Sequence, residues 1–308
     1  MNEHYIMEEK FPMQIDENVF VLGNYYFNLY LVVGKKYSVL FEVGVSSIVK
    51  SIIKQLETLD IEPDYLIVTH PHSDHITGLP GLLTRYPKAK IIVAKGAQDF
   101  IEHPKAGPLM VYEDMFMSKS LAKLGIKVSG TPLKTIPDMN HALIVKDRKL
   151  IKCDGITLEL IVVNGHSPGN LIGILKKERI MFCSDSLGFY FPGRRITPLF
   201  FTNANEYIET LIFIQNFNPL IICPAHQGPI SNDAAKKAIQ LALDTTIDTI
   251  KHIKGSKLNS EELAKELFDQ MYRDEFKVCS KENMEICAKL LVRRSKEFKP
   301  KSNRFFEL

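Results

Sequence analysis

Residues 70 to 75 read His-Pro-His-Ser-Asp-His, directly after the apolar run Tyr65-Leu66-Ile67-Val68-Thr69. Neutral imidazole and carboxylate are ligands for zinc and comparable first-row ions, and alternate residues of a tight loop can converge on one ion. The chain holds only nine histidines in 308 residues, so three of them within six positions point to a metal site.

Such a centre needs ligands from elsewhere, and each further candidate repeats one local pattern, an apolar run followed by turn residues and a ligand. Asn164-Gly165-His166-Ser167-Pro168-Gly169 follows Leu158 to Val163, with glycines that let the backbone turn sharply and present His166. Cys183-Ser184-Asp185-Ser186 places a carboxylate after Ile180 to Phe182, and Pro224-Ala225-His226-Gln227-Gly228 places an imidazole after Leu220-Ile221-Ile222. Taken singly, His166 and His226 read as ordinary histidines and Asp185 as a turn residue. Joined to the hexad, they read as one constellation. His4, His103, His141 and His252 lack the pattern and read as ordinary polar residues.

These motifs resemble the metallo-β-lactamase fold superfamily of hydrolases over roughly residues 15 to 230. The shared signature is His-x-His-x-Asp-His, a later Gly-His, a strand-end Asp and a final His. The resemblance implies an α+β fold, a four-layer αββα sandwich with the ligands along one edge of the paired sheets. It implies two divalent ions, zinc first with iron or manganese as alternatives. His70, His72 and His166 would hold one, Asp74, His75 and His226 the other, with Asp185 bridging. Where the family has Asp before Gly at an early strand end, this chain has Glu42, in Phe41-Glu42-Val43-Gly44. That departure bears on any role for Glu42 behind the ligands. The layout also resembles thioesterase-like quinolone-signal response proteins, with about ninety residues between hexad and Gly-His, a Cys-x-Asp-x-Leu-Gly segment, and helices after the final His. Helical appendages of that size occur in glyoxalase II as well.

The elements that must position these ligands are legible in the hydrophobic pattern. Val19 to Leu22, Leu29 to Val33 and Ser38 to Glu42 read as strands, and Ser46 to Leu59 keeps a helical period. Gly78 to Tyr86 reads as a short helix and Lys90 to Ala94 as a strand. Residues 96 to 130, with Met110, Met115, Phe116 and Met117, read as a helical insertion. Strands follow at Ala142 to Lys146, Leu150 to Cys153, Ile156 to Val163, Leu171 to Leu175 and Ile180 to Cys183. Beyond residue 231 the texture becomes helical, at Asp233 to Ile253, Ser260 to Tyr272 and Lys281 to Lys296. The expected organisation is a hydrolase domain over 1–230 and a C-terminal helical extension over 231–308.

At 45% hydrophobic, with 39 basic and 36 acidic residues, the composition is that of a globular chain without a polyanion signal. Nucleic acid is therefore not an expected partner. The five cysteines are odd in number and contain no Cys-x-x-Cys pair, which fits free thiols in a reducing compartment. No stretch reaches the ~18 apolar residues of a membrane span, and the first ten residues lack the apolar core of a secretory signal. A cytoplasmic enzyme is expected, with C-terminal helices that either cap the pocket or form a homodimer.

The expected chemistry is hydrolysis of a small-molecule thioester, ester or lactone by hydroxide generated between two ions, with Asp74 and Asp185 as the catalytic carboxylates. The alternatives are a phosphodiesterase acting on a small phosphodiester, or a signalling or interaction protein with residual hydrolase activity. After Asp185 runs Leu187-Gly188-Phe189-Tyr190-Phe191-Pro192-Gly193-Arg194-Arg195. Phe189, Tyr190 and Phe191 are expected to wall an apolar substrate pocket, with Arg194 or Arg195 meeting a carboxylate or phosphate. The alternative for this loop is that its aromatics pack beneath it and its arginines are solvated.

Overall fold

Several strands of this chain are apolar at every position, which makes sense only if both faces of each sheet are covered. In the computed structural model, which describes residues 10–104 and 106–300, they are. Strands β1 (Met13–Asp16), β2 (Val19–Gly23), β3 (Asn28–Val33), β4 (Ser38–Phe41), β5 (Tyr65–Val68), β6 (Lys90–Ala94) and β7 (Leu143–Val145) form one sheet in chain order. It is antiparallel from β1 to β4 and parallel from β4 to β7. Strands β8 (Arg148–Lys152), β9 (Thr157–Val163), β10 (Asn170–Leu175), β11 (Ile180–Phe182), β14 (Ile221–Cys223) and β15 (Ile230–Ser231) form the second, in the order β15-β14-β11-β10-β9-β8. Between β11 and β14, which pair in parallel, a separate hairpin joins β12 (Phe189–Phe191) to β13 (Arg195–Thr197).

Side-chain alternation sorts the strands into three cores. Val19, Val21, Tyr30, Val32, Val39, Phe41 and Ile67 meet Leu158, Leu160, Leu171, Ile180 and Phe182 between the sheets. Their neighbours Leu22, Leu29, Leu31, Leu40, Leu66 and Val68 face outward onto helices α1 (Val49–Thr58) and α3 (Leu79–Arg85), which flank the single turn α2 (Ser73–Ile76). On the other sheet Ile172, Ile174, Met181 and Ile222 face outward beneath the later helices. Three apolar interfaces separating helix, sheet, sheet and helix make the four-layer αββα sandwich.

The insertion consists of α4 (Lys95–Ile101) and α5 (Ala106–Lys123), so it begins one residue before the expected 96, and the stretch from 124 to 142, with Gly130, Pro132 and Pro137, is irregular rather than helical. Helix α6 (Ala204–Phe217) was not anticipated. Its signal is a capping residue: the Asn203 side chain accepts from the backbone N–H groups of Asn205 and Glu206. The expected C-terminal helices are α7 (Asn232–Gly255), α8 (Ser260–Met271) and α9 (Lys281–Glu297). They have no core of their own: Ile239, Leu263, Met284 and Leu291 belong to the same cluster as Ile172 and Met181. Strand β15, Ile230–Ser231, straddles the boundary drawn at residue 230. Among the described residues no helix is long and apolar enough to cross a membrane. Residues 1–9, with His4 and most of the N-terminal stretch judged non-secretory, lie outside the described residues.

Candidate metal centre

Four strand ends on one edge of the sandwich deliver the candidate side chains. β5 ends at Val68 and the chain presents His70 and His72, then winds into α2, whose one turn carries Asp74 and His75. The turn after β9 needs Gly165, which has φ 103° and would place a Cβ only 2.3 Å from the Tyr207 backbone nitrogen. β11 runs into a short 3-10 turn, Ser184–Leu187, that carries Asp185. β14 leads to His226. The last loop is tied to the opposite sheet, because Tyr30 Oη donates to Pro224 O at 2.6 Å, and Gly228 N donates to Asn28 Oδ1 at 2.6 Å. Three non-glycine residues here adopt left-handed backbone angles, Glu42 (φ 79°), Ser184 (φ 50°) and Gln227 (φ 59°). Such strain, held by surrounding structure, is common where geometry serves a site.

All seven side chains come together. His70 Nε2, His72 Nδ1 and His166 Nε2 form a triangle with edges of 3.1, 3.2 and 3.2 Å. Asp185 Oδ2 lies 3.9 Å from His70 Nε2 and 3.6 Å from His166 Nε2. Beside this group, Asp74 Oδ2 lies 3.3 Å from His75 Nε2 and 3.5 Å from His226 Nε2. Asp185 reaches both groups, with Oδ2 3.5 Å from His75 Nε2 and Oδ1 3.3 Å from His226 Nε2.

The hydrogen bonds behind the rings decide where their protons sit. His166 Nδ1 donates to Leu199 O at 2.6 Å and His226 Nδ1 to Tyr26 O at 2.6 Å, since a carbonyl can only accept. His75 Nδ1 donates to Glu42 Oε2 at 3.0 Å. The Thr69 hydroxyl gives its proton to Glu42, 2.9 Å from each carboxylate oxygen, so at 3.1 Å it accepts from His70 Nδ1. Four imidazoles therefore turn their Nδ1–H outward and aim Nε2 at one another and at two carboxylates.

Electrostatics divides the cluster. Burial, with His75, His72 and His166 alongside, pushes His70 well below the usual imidazole range. Burial and His166 bring His72 down to about 3, and burial lowers His166. For His75 and His226 burial acts in the same direction, but the carboxylates win: Asp74, Glu42 and Asp185 hold His75 well above its usual value, and Asp185 and Asp74 raise His226. Burial opposes the charged form of Asp74 and Asp185 too, yet His75 and His226 hold Asp74 at about 2 and Asp185 well below the carboxylate range.

A divalent cation fits this donor set. The unprotonated Nε2 atoms of His70 and His166, 3.2 Å apart, repel one another unless a cation lies between them. A tetrahedron with zinc–nitrogen bonds of about 2.0–2.1 Å has edges of about 3.3 Å. His75 Nε2 is buried without a hydrogen-bond partner, an orphan a metal bond would satisfy. Histidine and carboxylate together suit zinc, iron or manganese.

Glu42 stands behind this centre as acceptor for both Thr69 and His75. The longer side chain does what the shorter acid of the family pattern would be asked to do, from a left-handed residue. Glu42→Ala leaves the His75 Nδ1–H and the Thr69 hydroxyl without their acceptor. Metal affinity is expected to fall about 10–100-fold, read by competition against a chromogenic chelator. Unchanged affinity would show that Glu42 orients nothing.

The aromatic and basic loop is only partly where it was expected. Phe189 lines the cleft above the centre, and its ring stacks on His226 with centroids 4.8 Å apart. Phe191 is fully buried, and Tyr190 packs against the helix-side core, neither lining the cleft. Arg194 and Arg195 do not line it either. Arg194 pairs with Glu275 and lies 3.5 Å from Asp274, and Arg195 lies 3.4 Å from Asp274 and over the Phe191 ring at 4.0 Å. The acids that capture them belong to the 3-10 segment Asp274–Val278 between α8 and α9, a partnership across some eighty positions that sequence gives no means to see.

Further residues complete the cleft. Leu199 and Phe201 line it from the stretch after β13. From the C-terminal part come Phe276, Cys279, Asn283, Met284 and Cys287, so the helices after residue 231 cover the centre. Helix α5 closes the other side with Met110 and Met117, seven residues apart and on one face. Two buried acids fix that helix. Asp114 accepts from Ser46 Oγ at 2.6 Å, Thr77 Oγ1 at 2.6 Å and Leu133 N at 2.7 Å. Glu113 accepts from the Ser280 hydroxyl and, at 3.2 Å, from its backbone N–H. Cys279 and Cys287 are free thiols, and burial pushes Cys287 up to about 12 and Cys279 well above its usual value, so neither is a thiolate nucleophile at neutral pH.

The sandwich with its edge of histidines and acids is that of a known class. The family model of the metallo-beta-lactamase superfamily matches residues 24–226, and the chain belongs to that superfamily. It is 29% identical over 205 residues to a metallo-beta-lactamase fold-containing protein of Sulfurisphaera tokodaii, covering 66% of this chain and 73% of that one. It is 24% identical over 199 residues to the hydroxyacylglutathione hydrolase of Serratia proteamaculans, covering 64% of this chain and 61% of that enzyme. Among solved structures, an archaeal metallo-beta-lactamase superfamily protein from Sulfolobus tokodaii aligns with a TM-score of 0.56 at 22% identity, covering 89% of this chain and 94% of that one.

Proposed function

We propose that this chain is a hydrolase of a small-molecule thioester, ester or lactone that works with two divalent ions. His70, His72 and His166 would hold one, Asp74, His75 and His226 the other, and Asp185 would bridge them. The observation that carries the reading is the convergence of four Nδ1-anchored imidazoles on the two oxygens of Asp185. Likeness to a hydroxyacylglutathione hydrolase supports the thioester member of the set. Bound divalent ions supply Lewis acidity that polarises a carbonyl and makes water nucleophilic near neutral pH.

The chain's own residues do the rest. In hydrolysis the water oxygen bonds to the acyl carbon and the C–S or C–O bond breaks. One hydrogen ends on the departing thiol or alcohol, and the other leaves as a proton from the new carboxylic acid. Asp74 lines the cleft and its carboxylate is held down at about 2 by the two imidazoles beside it, after burial is overcome. A carboxylate that acidic orients a water by accepting its hydrogen bond far better than it removes a proton. Phe189, Leu199 and Phe201 exclude bulk water from the reacting group.

The test uses protein stripped by chelator and reloaded separately with zinc, iron or manganese. Hydrolysis of an acyl thioester, an aryl ester, a lactone and bis-p-nitrophenyl phosphate is then followed. Chelation is expected to abolish turnover of a carbonyl substrate and one of the three metals to restore it. Turnover of the phosphodiester alone, or of no substrate with any metal, would overturn the reading.

A further inference from the structure

We propose that the cleft binds an uncharged, apolar acyl arm, so that the substrate is a thioester, ester or lactone whose acyl group carries no second carboxylate, phosphate or sulfate. This rests on the hydrolase reading and narrows its substrate class.

The cleft opens to solvent at its mouth. Its far walls are thioethers and a thiol: Met110 and Met117 from α5, Met284 and Cys287 from α9. Phe100 and Leu109, each about two-fifths exposed, extend the apolar lining to the mouth. Among the described residues none of the lining side chains is Lys or Arg, and the charged ones, Asp74, Glu113 and Asp185, are all acidic. Glu113 is almost fully buried and holds the two Ser280 donors as their acceptor. The basic pair nearest in sequence, Arg194 and Arg195, is engaged by Asp274 and Glu275.

Beyond the reach of the ions, an anionic group on the acyl arm would lose its water beside Glu113 and the thioethers, with no basic side chain among the described lining residues to replace it. A hydrocarbon arm has the opposite fate. It exchanges water for methionine side chains, whose unbranched thioethers adjust to different chain shapes. Two helices held by buried acids, Asp114 to Ser46 and Thr77 on one side and Glu113 to Ser280 on the other, keep that slot at a set width. The arm should thus show a length limit.

Binding, separate from turnover, provides the test. Metal-loaded protein is titrated calorimetrically with N-methyl alkanamides of four to ten carbons, which mimic the acyl arm but resist cleavage, and with the matching ω-carboxylated amides. Each added methylene is expected to tighten binding about fourfold up to a limit, and the ω-carboxylate to weaken it at least about tenfold. Met284→Lys should reverse the charge preference, and Met117→Trp should shorten the longest arm accepted without weakening the shortest. Equal or tighter binding of the carboxylated series, or no dependence on length, would overturn the proposal. Expected binding without turnover of any carbonyl substrate would overturn the hydrolase reading, and with it the substrate class named here, and leave only the apolar-arm binding site. Turnover indifferent to charge on the arm would overturn this one alone.

Discussion

Asp185→Asn is expected to lower kcat/KM at least about a thousandfold while leaving the fold in place. Asp185 alone faces both groups of imidazoles, with one oxygen 3.6 Å from His166 and the other 3.3 Å from His226. Asparagine keeps the shape but removes the charge and turns one acceptor into an N–H₂ donor aimed where a cation belongs. The backbone around it has no reason to move, because the turn is held by hydrogen bonds such as Ser186 N to Cys183 O at 3.0 Å. Elemental analysis beside kinetics separates the causes. Loss of bound metal together with activity supports a bridging carboxylate. A variant that keeps a full complement of metal and more than a tenth of the activity would show that Asp185 bridges nothing.

The second large effect is expected at Glu275, which shares no element with the centre. Its Oε1 accepts from Tyr25 Oη at 2.8 Å and pairs with Arg194, and its side chain is almost wholly buried. Glu275→Ala removes an acceptor from the tyrosine hydroxyl and leaves Arg194 to Asp274. Because Arg194 is nearly half exposed, water makes good part of the loss, and the cost is about 2 kcal/mol. That is a fall of roughly 3 °C in melting midpoint. The functional effect should exceed what stability alone explains. Phe276, the next residue, touches Phe189 with ring centroids 4.2 Å apart, and Phe189 stacks on His226. Releasing the segment loosens one wall of the cleft, and KM is expected to rise about tenfold with kcat little changed. A stability loss with unaltered KM would mean that the segment is only a brace.

What the sequence made legible followed from residue density and period. The hexad and its three later partners were readable because ligand chemistry needs particular side chains, and each stood after an apolar run at a strand end. The strands of both sheets were readable because burial on two faces leaves near-continuous apolar text. Partnerships across distance were not. Nothing local to Arg194 or Asp274 says that they pair, so a basic loop beside a metal edge looked like an anion site. The Phe189–Phe191 strand looked like one aromatic wall, although alternation along a strand separates Tyr190 from its neighbours and Phe276 buries Phe191. Helix α6 was hidden because its apolar positions merge with the segment before it, and only Asn203 marks its start. Thr69 lay unnoticed beside His70. Its importance comes from the acid across the sheet, which one-dimensional reading cannot place.

The hydrogen bond from Tyr25 to Glu275 closes a loop of 250 positions. A nascent chain leaving the ribosome presents both sheets and every imidazole of the centre well before the segment that covers them exists. Until that segment arrives, an apolar trough lies open to solvent and to other chains. Contacts this remote in sequence form slowly, so the interval is long enough to matter. Soluble yield of the full chain is therefore expected to rise as expression temperature falls, where aggregation of such intermediates slows.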